Sequence, residues 1–496
     1  MSIGFALAIV ALVATNVEVM FLNDTRMWCY SHRARESGEP YRCCVAAASL
    51  GTATLSVGTI LGYLVRFGTI GPTGCTYGYR LWDRPFCHAI RTSLFLYVLN
   101  IGDSCMRKLL FPMIAATLVF TGCGGAEPVL TPGPAPMSTG GGLDNTGLRS
   151  VAVMAVPNVG AGTQATPFVY DFGNVDPIAG KYYLADRTNK SVDIFNTSSL
   201  STPIIQVHGF TGIGATFPTS GPNDVTVIPG SPFVYATDVD NVRVINTSTD
   251  QITQSIVTST SGLRSDADCY DSDDKIVMAD NGADTPPFAA YISTATNTVT
   301  SKLAFATSAG LEACLYDPGT KNFFINNDGT PANPNGELDV IPAASVVAGA
   351  PTVSAQYSEG NCGPAGIALG PNEELVIGCD APAGDPQITL IMNATTGAIL
   401  KTITQVGGSD EVAYDARYGR FYTASRDWTS TGISGSGTVT PVLGVIDAQR
   451  LVWLGNVPTS INSHSVAADS ANGDVFVPIA ATATTAGGIE VFRLRS

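Results

Sequence analysis

The chain has 496 residues, of which 45% are hydrophobic and only 14% charged, with 52 Gly and 30 Pro. That mix excludes a helical protein rich in Glu, Lys and Leu, and it suits short strands joined by many turns. Residues 1–105 carry eight Arg and six acids for a net charge of +2, while the other 391 carry 18 basic and 35 acidic residues for a net of −17. A region so acidic repels phosphate backbones, so nucleic acid is excluded as an expected partner.

Residues 1–105 resemble nothing that follows and hold six of the eleven Cys and two of the four His. Their apolar runs at 3–22 and 45–65 can be read as membrane helices, since about 20 apolar residues cross a bilayer. The competing reading begins at Met106. Arg107-Lys108 forms a positive start, 109–120 an apolar stretch, and small residues follow, the order of a secretory signal over 106–122. Phe120-Thr121-Gly122-Cys123 resembles the lipobox of bacterial lipoproteins, with Phe where that family usually has Leu. The resemblance implies that Cys123 is acylated and is the mature N-terminus, held in the cell envelope on the outer membrane or cell surface. Residues 1–105 are then a leader from a start codon placed too far upstream; the alternative remains membrane helices. Residues 123–148, with Gly124-Gly125, Pro132-Gly133-Pro134 and Gly140-Gly141-Gly142, cannot bury a core and form a flexible tether.

From there a unit recurs seven times. Each opens on one residue and reaches a turn-forming Asp, Pro or Gly five positions later: Asp171 and Asp176, Asp224 and Pro229, Asp266 and Asp271, Glu312 and Asp317, Ala365 and Gly370, Asp410 and Asp415, His464 and Asp469. Starts lie 53, 42, 46, 53, 45 and 54 residues apart, the length of a four-stranded propeller blade with variable loops. Second strands are predicted at 181–185, 233–237, 275–279, 322–326, 374–378, 420–424 and 474–478. Third strands follow, several ending in polar turns such as Asn196-Thr197-Ser198 that return the chain into a fourth. The seventh unit stops before its fourth strand, and a spare strand-like run at 149–156 precedes the first. Pairing the two would close a ring and remove an exposed sheet edge. The expectation is therefore an all-β, seven-bladed β-propeller over 149–496, closed by an N-terminal strand and preceded by a lipoprotein signal and a flexible linker.

The pattern resembles the YVTN-type bacterial surface propellers, related to lactonase-like and NHL propellers. Asp317-Pro318-Gly319-Thr320 and Gly370-Pro371-Asn372-Glu373 stand where that family has a Ser-Pro-Asp-Gly turn. The resemblance implies a binding or scaffolding module for a protein or small-molecule ligand, attached to the membrane through the lipid. The alternative it implies is a divalent-cation-dependent, lactonase-like hydrolase of small sugar-acid esters, with Glu312 and Asp410 in a calcium cradle or as acid and base.

Asp171, Asp224, Asp266, Glu312, Asp410 and His464 are predicted to meet at one mouth of the central channel, where the innermost strands enter. Such a ring could bind a polar ligand or supply oxygen ligands to calcium; alternatively its side chains cap backbone amides of the entering loops. Asp266, Asp268, Asp271, Asp273 and Asp274 lack the order of an EF-hand and read as a solvated turn. No Gly-x-Ser-x-Gly, His-Glu-x-x-His or phosphate-binding loop occurs, so no catalytic residues stand out. Beyond residue 105 only His208 and His464 are present, which excludes a multi-histidine metal site, and His208 is placed on the outer surface. Export favours disulfides, and one is expected between Cys362 and Cys379. Cys269 and Cys314, two and three residues before their turns, are expected to remain separate buried thiols.

Overall fold

A computed structural model describes residues 146–161 and 168–495, together with the backbone of three strands near the N-terminus. The chain divides into two compact units, Met1–Pro128 and Val129–Ser496. In the first, Leu12–Val13, Asn16–Arg33 and Pro40–Thr54 form an antiparallel sheet in which Glu18 stands opposite Thr54. The expected signal at 106–122, Cys123 and the tether up to 145 lie outside the described residues. Among the described residues no helix is long and apolar enough to cross a membrane.

The second unit consists of seven four-stranded antiparallel sheets. Their innermost strands are Tyr170–Asp176, Val225–Val227, Asp268–Asp271, Leu311–Asp317, Pro364–Leu369, Val412–Asp415 and Ala467–Asp469. Each touches the next, and the seventh touches the first, so the ring is closed. In the seventh blade the fourth strand is Leu148–Ala155, paired with Gly488–Leu494 from Gly488 opposite Ala155 to Leu494 opposite Leu148. The expected seven-bladed propeller, closed by an N-terminal strand, is therefore the fold of this unit.

Composition explains the layering. Second strands such as Ile276–Asn281 and Asp474–Ile479 are buried at every position, because blades cover both of their faces. Outer strands such as Thr298–Ala304 alternate between exposed and half-buried residues, as expected where the sheet meets water. Aromatic and β-branched side chains fill the wedges between blades. Tyr182 of blade 1 stacks on Phe476 of blade 7 with ring centroids 5.0 Å apart, and both are fully buried. Each such side chain contributes roughly 1.5–3 kcal/mol by leaving water.

The recurring Asp five residues into the repeat has a structural task. Asp176 Oδ1 accepts the Ile178 and Ala179 amides, and Asp271 Oδ1 those of Asp273 and Asp274. Asp317, Asp415 and Asp469 accept equivalent amides in their own turns. These buried carboxylates close the hairpin between first and second strands, which is why the repeat keeps Asp there.

Among the described residues two disulfides are present. Cys362 and Cys379 are bridged with Cα atoms 4.8 Å apart. Gly363, at φ +58°, folds the entering loop back; a Cβ there would lie 2.4 Å from the Asp380 carbonyl oxygen. Cys269 and Cys314 are also bridged, at a Cα separation of 5.8 Å, which corrects the expectation of separate thiols. The different phase of these two residues is what allows them to meet. One face of each blade looks forward to the next blade and the other looks back. Leu315, two residues before its turn, faces blade 5 among Phe324 and Ile367, whereas Cys314, three before, faces blade 3 among Met278 and Tyr291. Cys269, two before its own turn, faces forward into that same cluster.

Candidate functional site

The inner strands run along the channel from a mouth at their first residues to an opposite end at their hairpin turns. At the mouth a cavity of about 270 Å³ is lined by Asp171, Asp266, Glu312 and Asp410 from blades 1, 3, 4 and 6. His464 reaches the same place through Asp171, its Nε2 3.5 Å from Asp171 Oδ1. Its ring lies on Tyr170, with centroids 4.6 Å apart, and its Nδ1 bonds the Asn462 carbonyl at 2.9 Å. Asp224 stands apart from these five: it faces the cavity at the opposite end of the channel.

Three arginines share the mouth, and the sequence reading missed them. Arg187, fully buried, binds Asp171 and also donates to Asn223 Oδ1 at 2.5 Å and to the Pro222 carbonyl at 3.2 Å. Arg264 pairs with Asp266 and lies 3.8 Å from Asp171, and Arg426 pairs with Asp410 at 2.5 Å. Phe217, exposed in the 3-10 turn Phe217–Thr219 between blades 1 and 2, has its ring centroid 4.0 Å from the Arg264 guanidinium carbon. Two more acids, Asp328 and Asp380, complete the lining. The residue following the second strand of a blade thus contributes a second set: Arg187, Asp328, Asp380 and Arg426. The signal was present in the sequence, since Ala185-Asp186-Arg187 and Ala424-Ser425-Arg426 end equivalent strands.

Six carboxylates face three guanidiniums here, so the mouth keeps a surplus of acid. Burial would raise the Asp171 carboxyl, but Arg187, then His464 and Arg264, outweigh it and hold the group below the usual carboxylate range. Burial pushes Asp266 up to about 6 despite Arg264. Glu312 has no guanidinium of its own. Burial, then Asp266 and Asp328, push it well above the usual range. It can therefore stand protonated and donate a hydrogen bond near neutral pH.

Among the described residues, no group of three His, Cys, Asp or Glu side chains could hold a metal ion. The acidic cluster at 266–274 is dispersed rather than gathered: Asp266 faces the mouth, Asp268 the opposite cavity, Asp271 caps a turn, and Asp273 pairs with Lys321 at 2.6 Å. His208 is exposed at the end of an outer strand.

No family model and no curated protein matches the chain. Among solved structures, a chain in a crystal structure of a mitotic checkpoint complex is similar at a TM-score of 0.51 and 10% identity, over 75% of this chain and 99% of that one. A chain of Kuenenia stuttgartiensis hydrazine synthase is similar at a TM-score of 0.49 and 12% identity, over 63% of this chain and 92% of the other. At such identities what is shared with the first is the fold, and the chain is similar to propeller-like proteins in architecture.

Proposed function

We propose that this protein is an envelope-anchored binding module, held by a lipid on Cys123, whose propeller takes a polar ligand or a partner's polar group at the Asp171–His464 mouth. The observation that carries this is the mixed-charge lining: three guanidiniums are already paired with carboxylates, while Glu312 stands half-buried beside them without an ion pair among the described residues. A closed ring supplies rigid walls for such a site, and the resemblance of the repeat to YVTN-type surface propellers supports an exported binding role. Fold alone does not decide it, because propellers host many functions.

The lactonase-like reading has less behind it. It requires a divalent cation among Glu312, Asp410 and their neighbours, and there Arg264 and Arg426 already supply the positive charge.

The anchor is tested by a Cys123→Ala form of the full chain, which should leave the membrane fraction and lose incorporated palmitate; retention of both would refute it. The site is tested by screening polar small molecules, sugar acids and their lactones included, for a rise in melting temperature. A mouth ligand should raise it by several degrees in the native chain and markedly less in Glu312→Gln. If every stabilising compound acts equally on both forms, the mouth is not the site. Turnover of a lactone would favour the hydrolase.

A further inference from the structure

The face that carries the hairpin turns, opposite the mouth, gathers positive charge at one edge. In blade 7 the third strand runs like the first, from mouth to turns, so Leu494 and its partner Leu148 lie at the turn end. The chain therefore enters the propeller on this face. Arg149 stands directly opposite Arg493 across the closing pair of strands. Arg420 of blade 6 donates to the Thr146 carbonyl at 2.5 Å, and the Arg495 amide donates to the Gly147 carbonyl at 2.7 Å. Arg417 donates to the Ala471 carbonyl, and its guanidinium carbon lies 5.6 Å from the ring centroid of the exposed Tyr418.

The nearby acids lie beneath these arginines. Asp415 and Asp469 are buried and accept amides in their turns. Asp474, also buried, takes Arg493 through two bonds of 2.5 and 2.7 Å, and Asp447 takes Arg450 at 3.0 Å. Arg149 and Arg417 are exposed, and among the described residues neither has a carboxylate within ion-pair distance. Like charges directly opposite on paired strands repel, and the one Asp474 carboxylate is already engaged by Arg493. An anion from outside would relieve that repulsion at Arg149.

We propose that this edge rests on an anionic membrane surface, with Arg149 and Arg417 meeting lipid phosphates and Tyr418 among the headgroups, so that the mouth points away from the membrane. The planar guanidinium fork matches phosphate oxygens, and tyrosine suits a boundary that is apolar on one side and wet on the other. The choice of a membrane over another anion rests on the tether reading under the proposed function: residues 123–145 end at Thr146, inside this cluster. A basic surface beside a lipid anchor adds a second membrane signal. The acids of the mouth do not cancel it. The seven-residue strand Tyr170–Asp176 spans roughly 20 Å, well beyond the screening length of about 8 Å at physiological salt.

The test footprints the arginines of the full chain with an arginine-selective glyoxal, read by mass spectrometry. The chain is bound to vesicles of phosphatidylglycerol and phosphatidylcholine in equal amounts, or of phosphatidylcholine alone. Arg149 and Arg417 should react about fivefold more slowly on the anionic vesicles, and the protection should vanish near 1 M salt, where screening is within about 3 Å. Arg426, at the mouth, should react alike on both. In the Arg149→Gln, Arg417→Gln form the protection of Arg493 should be lost, while Arg149→Lys with Arg417→Lys should keep it. Flotation separates this claim from the anchor. A chain that floats with both vesicles but shows no protection refutes the basic edge and leaves the lipid on Cys123 standing. A Cys123→Ala chain protected on anionic vesicles upholds the edge without the lipid. Protection of Arg426 instead, equal protection on neutral vesicles, or no flotation at all would overturn the proposal. Stronger protection by polyglutamate than by vesicles would also overturn it, in favour of an acidic partner protein.

Discussion

Replacing Arg187 by Met should cost about 3–4 kcal/mol of stability at pH 8, because it strands a buried carboxylate. Removing one member of a buried ion pair typically costs about 3–5 kcal/mol. Asp171 keeps Arg264 at 3.8 Å and His464 at 3.5 Å, which places the loss at the lower end of that range. Asn223 Oδ1 and the Pro222 carbonyl each lose a donor, adding on the order of 1 kcal/mol. The penalty depends on pH. In the native protein Arg187 helps hold Asp171 below the usual carboxylate range; without it, burial raises the folded pKa above the unfolded one. The variant's folded state then binds more protons than its unfolded state, so its loss grows as pH rises. Urea unfolding at pH 5 and pH 8 measures this, provided the slope against denaturant stays constant. Asp171→Asn combined with Arg187→Met should recover a large part of the single variant's loss, because no charge is stranded. Equal losses at both pH values, with a double variant no better than the single, would refute the reasoning.

The native protein itself should be more stable at pH 5 than at pH 8. Burial raises Asp224 to about 7 and Asp266 and Asp339 to about 6, so stability is lost as pH climbs from about 4 through those values; for Asp224 the shift corresponds to roughly 4 kcal/mol. A urea midpoint that rises between pH 5 and pH 8 would contradict this. Chelator and added calcium should leave the melting temperature unchanged, since Asp171, Asp266 and Asp410 are already paired with Arg187, Arg264 and Arg426; a rise with calcium would restore the hydrolase reading. Removing residues 146–155 should expose the Gly488–Leu494 edge, lower the melting temperature and promote aggregation, measured by light scattering. A truncated chain that stays monomeric with an unchanged melting temperature would show that the closing strand contributes little.

The blades were legible because their signals are local. An Asp that accepts two amides in a hairpin turn recurs with the strand that precedes it, and a missing last strand can be matched to a spare first one. Neither inference needs a long-range distance. The mouth was legible only in part, because its two contributing positions differ in regularity. The opening residues carry acid or His in six blades, and a ring of blades brings one such residue per blade toward the axis. Asp224 departs from that rule: its side chain accepts the Val225 and Asp268 amides and turns toward the far cavity. The residues after the second strands alternate between Arg, Asp and uncharged types, so no column of like residues marks them. Yet Arg187 and Arg426 decide the chemistry, because each converts an acidic ring that would favour a metal ion into a set of ion pairs.

The same reasoning explains the error over Cys269 and Cys314. Within one strand, residues one position apart point to opposite faces, and a difference of phase separates them. Between neighbouring blades the rule inverts, since the forward face of one meets the backward face of the next. Cys269 and Cys314 satisfy that inverted rule, as do the Met278 and Tyr291 side chains that surround them. Asp268, one residue before Cys269, must by the same alternation face back toward blade 2, and there it meets Asp224 and Thr226. The stagger that permits the disulfide therefore also sets the buried Asp268 carboxylate beside a second one. That pairing could be read only after the blades had been placed against one another, because strand periodicity alone does not say which face of one sheet meets which face of the next.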